Sequence, residues 1–190
     1  MGNLTDHFSG GGGGSNILEY IKFQADGRII TTQKGDVTTQ NVTTVTKALT
    51  SWQNLPGSVF AYTPPDGTKY VSYKLLTSMY YVDTANIGHF SLALDGTRIT
   101  KSQNSWYFGT NHYQDQWEAT GIIQIDSSFT ENIAEGKLSS WDSNKTLSIS
   151  FRTYSGSYEY NANDGYYQNG GGSSGTARAY NPYVEIIAYK

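Results

Sequence analysis

The sequence predicts an all-β protein: an antiparallel β-sandwich, jelly-roll-like, preceded by a flexible glycine-rich arm. Three observations support this fold class. Apolar and polar residues alternate with a period of two in several segments, Asp-Gly pairs separate many of these segments, and five consecutive glycines follow the first nine residues. Such alternation is typical of strands with one face in a core, and Asp-Gly favours tight turns between strands.

The arm comprises residues 1–16, and a single β-sandwich domain comprises residues 17–190. Leu4 and Phe8 have the i, i+4 spacing that places two side chains on one face of a helical turn, so they are candidates for docking the arm to a partner. A frayed terminus without a role is the alternative. A glycine run costs much backbone entropy to order and works as a tether. The tether residues are Gly10, Gly11, Gly12, Gly13 and Gly14.

Five segments alternate clearly enough to predict which side chains enter the core. These inward residues are Val71, Tyr73 and Leu75; Phe90, Leu92 and Leu94; Trp117, Ala119, Gly121, Ile123 and Ile125; Leu147, Ile149 and Phe151; and Val184, Ile186 and Ala188. We expect six of them to hold the sandwich together, namely Tyr73, Leu92, Trp117, Ile123, Ile149 and Ile186. Strands this frequent, without a helical pattern between them, favour a sandwich over an α/β fold.

Turns and irregular regions separate these strands. The turn signals are Asp26-Gly27, Asp66-Gly67, Asp95-Gly96 and Asp164-Gly165, where glycine supplies positive φ. The clearest predicted hairpin runs from Phe90 to Thr100. Helical structure is expected only within Ser128–Lys137, as a turn or two. Thr38–Leu55 predicts an exposed strand that leads to a loop around Trp52 to Gly57, and Tyr154–Ala179 predicts a long polar loop.

Composition excludes several classes of function. The chain has 190 residues, enough for one well-buried domain, with 15% charged residues and a net charge of −3 spread without blocks. We therefore expect neither a nucleic-acid partner nor a membrane surface. We expect no signal peptide, since the first residues lack a basic segment and an apolar core. The absence of cysteine excludes disulfides and thiolate metal sites.

The sequence predicts no catalytic residue, no metal site and no cofactor, and therefore a protein that is not an enzyme. Of its histidines, His7 lies in the arm, and His89 and His112 have no second ligand at metal spacing. His112 with the nearby Asp115 and Glu118 stays open as a minor alternative.

Carboxylates leave two further alternatives open. A pair for sugar hydrolysis is defined only by its separation in space, and Glu118, Asp126 and Glu185 are candidates, although outward-facing charges are the simpler interpretation. A calcium site at Asp164, with Asn161 and Asn163, is the second alternative, without the EF-hand pattern to support it.

Aromatic residues offer candidate glycan-binding positions, because aromatic faces stack on sugar rings. The tract from Tyr154 to Ala179 combines tyrosine, asparagine and glycine, as adaptable binding loops do. A long hairpin loop whose tyrosines pack on the sandwich wall is the alternative. The candidate residues are Trp106, Tyr107, Tyr158, Tyr160, Tyr166 and Tyr167.

Short motifs along most of the chain resemble a known group. They are the glycine run with its Ser-Asn-Ile-Leu-Glu continuation (Gly10 to Glu19), the turn and strand from Thr63 to Val71, the hairpin from Leu94 to Ile99, and the C-terminal Glu185-Ile186. On these motifs the chain resembles small virion surface proteins of tailed bacteriophages, especially phages of aquatic environments. The resemblance implies a β-sandwich virion structural protein, a homotrimer, and a location on the virion surface after synthesis in the host cytoplasm.

Two roles within that group remain open, and a third lies outside it. A capsid decoration protein (a cement protein or knob) would dock through its arm to the major capsid protein or another virion protein. A tail-fibre or spike tip would bind cell-surface glycan through exposed loops. The single small domain, without a heptad repeat for a fibrous shaft, favours decoration. A carbohydrate-binding module is the third role.

Overall fold

Two β-sheets packed face to face form the body of the protein, as the sequence predicts. The computed structural model describes residues 16–81, 86–108, 113–155, 160–164 and 179–190. In chain order its strands are β1 (Ile17–Gln24), β2 (Ile29–Thr32), β3 (Gly35–Thr38), β4 (Thr46–Lys47), β5 (Gln53–Asn54), β6 (Phe60–Tyr62), β7 (Tyr70–Tyr81), β8 (Asn86–Leu94), β9 (Thr97–Arg98), β10 (Asn104–Phe108), β11 (Tyr113–Ile125), β12 (Lys137–Leu138), β13 (Lys145–Thr153), β14 (Tyr160–Ala162) and β15 (Tyr183–Tyr189). The prediction of an all-β, jelly-roll-like sandwich is confirmed.

The first sheet has seven strands in the order β1-β15-β7-β11-β12, with β14 and β4 joined beside β7. Its long central pair, β7 and β11, runs antiparallel from Tyr70↔Gln124 to Tyr81↔Tyr113. The second sheet has six strands, with the order β10-β8-β13-β5, while β6 extends the β13 edge and β9 pairs with β8. A separate two-stranded sheet is formed by β2 and β3.

The core lies between the two sheets and contains the residues that the period-two pattern points inward. Across it, the rings of Phe90 and Trp117 stack with centroids 3.6 Å apart. Gly121 lies where the sheets approach closely, because a Cβ atom there would be 2.8 Å from the Cβ atom of Leu92. The six expected core residues, Tyr73, Leu92, Trp117, Ile123, Ile149 and Ile186, are all buried.

The predicted hairpin from Phe90 to Thr100 is confirmed. Strands β8 and β9 pair through Leu94↔Thr97, and both turn residues have positive φ, 48° at Asp95 and 77° at Gly96. Two such residues form the two-residue turn whose twist matches the strands. Gly27 and Gly67 also have positive φ, as their turns require.

The segment Thr38–Leu55 differs from its prediction. It holds no long exposed strand; β3 ends at Thr38, and the segment then contributes only β4 and β5, of two residues each. Strand β5 lies where a loop was expected, because Gln53 and Asn54 pair with the free edge of β13. Within Ser128–Lys137, where a turn or two of helix was expected, the structure has one 3₁₀ turn, Ile133–Glu135. This turn ends at Gly136, whose backbone is left-handed.

The arm and most of the tyrosine-rich tract lie outside the described residues. Strand β1 starts at Ile17 and forms an edge of the seven-stranded sheet. Within the described part of the chain, no helix is long and apolar enough to cross a membrane.

Candidate functional site

The outer face of the six-stranded sheet carries a cluster of aromatic and cationic side chains. We name this cluster the Arg–Trp face. It consists of Trp52, His89, Arg98, Ser105, Tyr107, Arg152 and Tyr154.

Strand register explains why these side chains point outward together. Phe90 on β8 and Phe151 on β13 are paired and face the core. The next pair of the same two strands is His89 with Arg152, and because side chains alternate along a strand, both point to the outer side. Ser105 pairs with His89 across the β10 edge, and Trp52 directly precedes β5 on the far edge of β13. One row across β10, β8 and β13 therefore carries a serine, the histidine and an arginine, and the tryptophan continues it just before β5.

Two arginines stack on the ring of Trp52. The guanidinium carbon lies 4.2 Å from the ring centroid for Arg98 and 5.1 Å for Arg152. Arg98 comes from β9, on the opposite edge of β8 from β13, so its side chain and that of Trp52 meet over the middle of the sheet. Cation–π contact of this kind holds a guanidinium in a defined position.

Small residues occupy outward positions of β8 and β13 near this contact. Their positions alternate with core residues and therefore point outward, yet all are buried. They are Ser91, Ala93, Ser148 and Ser150.

His89 stands at the centre of the face in its neutral form. Its ring contacts Trp52 and Tyr154, with centroids 6.4 and 5.9 Å apart, and its Nδ1 atom lies 2.7 Å from the hydroxyl of Ser105. Desolvation by burial, and then the charge of Arg152, lower the pKa of His89. Its Nε2 atom is enclosed and has no hydrogen-bond partner among the described residues, which further disfavours a charged imidazolium.

Two tyrosines extend the face beyond His89. Tyr107 pairs with Ile87 from the β10 side, while the backbone N–H of Tyr154 donates to the Ile87 carbonyl from the β13 side at 2.9 Å. Both rings are strongly exposed, 68% for Tyr107 and 59% for Tyr154. Large exposed aromatic side chains beside cations are typical of binding surfaces.

The sequence-predicted glycan residues have different positions. Tyr107 is exposed on the Arg–Trp face, whereas Trp106 is half-buried and packs edge-on against Trp117, with centroids 6.5 Å apart. Trp106 pairs with Gly88, whose missing side chain leaves room for the indole on the inner side. Its ring therefore supports the core and does not belong to the exposed face. For Tyr160 only the backbone is described, and Tyr158, Tyr166 and Tyr167 lie outside the described residues.

Sequence reasoning missed most of the Arg–Trp face. Trp52, Arg98 and Arg152 are far apart along the chain and meet only through the pairing of β9, β8, β13 and β5. The alternation of Arg152 with Phe151 was a usable signal for its outward direction, but the partner strands were not predictable.

The candidate carboxylates have structural partners on the other side of the molecule. Glu118 pairs with Lys74 at 2.6 Å, and Glu185 accepts a hydrogen bond from the Tyr20 hydroxyl at 2.8 Å. Asp126 accepts hydrogen bonds from the backbone and side chain of Ser128, which lower its pKa. Each of these three acids therefore has a local role in the fold.

The predicted histidine and calcium alternatives gain no support. His7 and His112 lie outside the described residues, and among the described ones no three of His, Cys, Asp and Glu gather as metal ligands. Asp164 and Asn163 are buried, and Asn163 bonds to Thr77 and to the Pro56 carbonyl, a structural arrangement.

A groove of about 600 Å³ borders the outer face of the seven-stranded sheet. Its cations have ion-pair partners, since Glu135 contacts Lys101 at 3.4 Å and Lys137 at 2.9 Å, and Lys74 contacts Glu118 at 2.6 Å. These ion pairs lower the pKa of Glu135. With its charges satisfied, this groove is a weaker candidate than the Arg–Trp face.

No family model and no curated protein matches this chain. Solved structures that are similar to it include the following two. The CBM36-1 domain of a multidomain xylanase from the hindgut metagenome of Trinervitermes trinervoides has 10% identity and a TM-score of 0.35, over 88% of this chain and 96% of that domain. The infectious bursal disease virus Gx strain structure has 12% identity and a TM-score of 0.27, over 85% of this chain and 40% of the viral chain. Likenesses this distant carry no argument about function.

Proposed function

We propose that this protein is a non-enzymatic recognition domain of a bacteriophage virion that binds cell-surface glycan through the Arg–Trp face. The observation that carries the proposal is the pair of exposed rings, Tyr107 and Tyr154, on either side of Ile87, on the same face as the contact between Arg98 and Trp52. Exposed tyrosines offer large, rigid contact area for a ring-shaped ligand, with a hydroxyl for hydrogen bonding.

The rest of the face suits a polar, ring-bearing ligand. Arg98 supplies directed hydrogen-bond donors, and Ser105 supplies an exposed hydroxyl at the edge. A protein partner of similar size would call for a larger apolar centre than two separated tyrosines provide. The virion part of the proposal rests on the resemblance of the sequence to phage surface proteins.

A glycan array tests this function directly. The wild-type chain is expected to bind one or a few related glycans, and Tyr107→Ala with Tyr154→Ala is expected to remove the signal. Tyr70→Ala with Tyr183→Ala is the matched control, because these two tyrosines are exposed on the other sheet, at 44% and 39%. Loss of binding in the control alone, or no binding to any glycan, contradicts the proposal.

Capsid decoration through the arm is a second candidate function. It is favoured by the edge position of β1, because Ile17, where the first strand begins, lies in an edge strand of the seven-stranded sheet. Leu4 and Phe8 would dock on a virion protein, with Gly10 to Gly14 as the tether. Deletion of residues 1–14 is then expected to leave folding intact and abolish incorporation into particles; normal incorporation contradicts this role. Sedimentation equilibrium tests the homotrimer that the resemblance implies.

A further inference from the structure

We propose that the outer face of the seven-stranded sheet is an interface with a second copy of this chain, related by a two-fold axis that runs parallel to the strands between β15 and β7. The inference is independent of the glycan site, which lies on the other sheet. It follows from the order of charged and apolar side chains across four neighbouring strands, β1, β15, β7 and β11.

One row of side chains on this face alternates in charge. Lys22 on β1 is paired with Glu185 on β15, which is paired with Lys74 on β7. Glu118 on β11 completes the row, because its carboxylate reaches Lys74 at 2.6 Å. The signs therefore run plus, minus, plus, minus across the four strands. A two-fold axis through the centre of such a row places every charge against an opposite one, Lys74 against Glu185 and Lys22 against Glu118 of the second copy.

These charged groups keep capacity for a partner outside the chain. Lys22 forms no ion pair with any described residue. Lys74 has one carboxylate partner, Glu118, and Glu185 accepts one hydrogen bond, from the Tyr20 hydroxyl. Because an ammonium has three donors and a carboxylate accepts more than one hydrogen bond, contacts with a second copy add to these internal contacts and do not replace them.

The rows next to the charged one are apolar. The first of them holds Tyr20, Ile187 and Ile122, and the second holds Tyr189 and Tyr70. Ile122 is 60% exposed and Tyr70 is 44% exposed. The same two-fold axis places Tyr20 over Ile122, and Tyr70 over Tyr189, of the second copy. An exposed apolar patch beside charged residues is typical of a protein–protein contact.

The direction of the axis follows from the order of the rows. An axis parallel to the strands lays each row on the same row of the second copy, so that charges meet charges and apolar side chains meet apolar ones. An axis across the strands would reverse the order of the rows and bring Glu185 against Ile187. Sheets that pack face to face differ by about 30° in strand direction, so the match is closest beside the axis.

The size of the face supports a weak dimer. Four rows about 7 Å apart, on four strands about 4.8 Å apart, cover about 500 Å² of each copy. The two copies together bury about 1,000 Å², the lower limit for a specific interface, and we expect a dissociation constant of about 10–100 µM. Dilute protein is then monomeric. The two Arg–Trp faces point in opposite directions on the outside of the dimer, so its dissociation leaves glycan contacts on an array unchanged.

Sedimentation equilibrium of the full chain, at concentrations up to about 500 µM, tests the inference. The wild type is expected to show a reversible equilibrium of monomer and dimer. Lys74→Glu sets carboxylates against carboxylates, and Glu185→Lys sets ammonium groups against ammonium groups, so each variant alone is expected to dimerise about tenfold more weakly or worse. An equimolar mixture of the two variants restores the opposite charges at both contacts. It is expected to form a heterodimer with an affinity near that of the wild type.

Lys145→Glu is the matched control, because Lys145 is an ion-paired cation of the other sheet, 3.5 Å from Asp95. Its dimerisation is expected to equal that of the wild type. Ile122→Ser is a second interface variant, which removes an exposed apolar side chain without breaking an internal ion pair. It is expected to weaken dimerisation and keeps the test decisive if melting temperatures show that a charge variant does not fold.

A monomer throughout the concentration range, or the trimer that the resemblance implies, overturns the inference. A mixture of the two charge variants that associates no better than its separate components also overturns it, as does an equal loss of dimerisation in Lys145→Glu. These outcomes leave the proposed glycan function intact, because the array tests the other sheet.

Discussion

The buried carboxylate of Glu19 accepts a hydrogen bond from the Tyr62 hydroxyl at 2.7 Å. The same carboxylate accepts the backbone N–H of Gln33 at 2.6 Å, so it joins β1 to β6 and to the turn between β2 and β3. Glu19 is only 4% exposed and points to the same side as Ile21 and Phe23. Burial, and then the charge of Glu19, raise the pKa of the Tyr62 hydroxyl, which therefore stays protonated as a donor.

Tyr62→Phe is expected to destabilise the fold by about 2 kcal/mol, because a buried carboxylate loses one of its donors. Chemical denaturation measures this change in the free energy of unfolding. Tyr20→Phe is the matched control: its hydroxyl donates to Glu185 at a similar distance, 2.8 Å, but on the outer face. There water replaces the lost donor, and a cost below about 1 kcal/mol is expected. Equal costs for the two variants would show that burial of the Glu19 bond is unimportant.

Gly121→Ala is expected to destabilise the protein by about 1–3 kcal/mol through overpacking. The added methyl group would lie 2.6 Å from Cδ2 of Leu92, a fully buried side chain of the facing sheet. Thr120→Ala, the neighbouring exposed position on β11, is the control with an expected change near zero. A thermal melt of both variants distinguishes them, and an unchanged Gly121→Ala protein would mean that the sheets can separate at no cost.

Asn163 combines left-handed backbone with buried hydrogen bonds. Its φ is 58°, and its side chain accepts from Thr77 Oγ1 at 2.6 Å and donates to the Pro56 carbonyl at 2.8 Å. Both Asn163→Ala and Asn163→Gly lose these bonds, but only alanine also carries the cost of positive φ, about 1 kcal/mol. We expect alanine to be the more damaging in denaturant melts. If glycine is as damaging as alanine, the backbone conformation is not a constraint.

The lowered pKa of His89 makes stability depend on pH. As pH falls through the ordinary histidine value of 6.5, the unfolded chain takes up a proton before the folded protein does. The contribution of the neutral ring to stability is therefore fully present above that pH and declines below it. Among the described residues, the charged group that faces His89 is Arg152 on β13, and its uncharged neighbours include Ser105, Trp52 and Tyr154.

Melting temperatures of the wild type and His89→Gln at pH 8 and pH 5.5 measure this dependence. The advantage of the wild type over the variant is expected to shrink at the lower pH. Because both proteins keep the other titrating groups, the difference isolates His89. If the stability advantage of the wild type over His89→Gln instead grows as pH falls, the pKa of His89 is raised in the folded protein and not lowered.

The sequence predicted the core better than the surface, for a physical reason. A strand with one buried face shows alternating apolar and polar residues in its own sequence, so Trp117, Ile123 and Ile149 could be assigned to the core from their immediate neighbours. The Asp95-Gly96 turn was predictable because its positive φ values limit the residues that fit. Which strand edges meet depends on long-range pairing, which leaves no local trace.

Two differences between the sequence-based expectations and the Arg–Trp face come from that pairing. Trp106 and Tyr107 alternate, and the sequence alone did not say which faces outward; the pairing of Trp106 with Gly88 turns it inward. Trp52 was assigned to a loop, yet the pairing of the following Gln53 with Phe151 brings its ring under two arginines.

The most direct test of the central claim is an ¹H–¹⁵N spectrum of the protein with and without the strongest glycan from the array. The chain has four tryptophans, so its indole signals are few. We expect the indole of Trp52 and the backbone signals around Tyr107 and Arg98 to shift, while the indole of Trp141, buried and bonded to the Tyr62 carbonyl, stays in place. Shifts confined to the outer face of the seven-stranded sheet, at Thr120 and Ile122, would contradict the account.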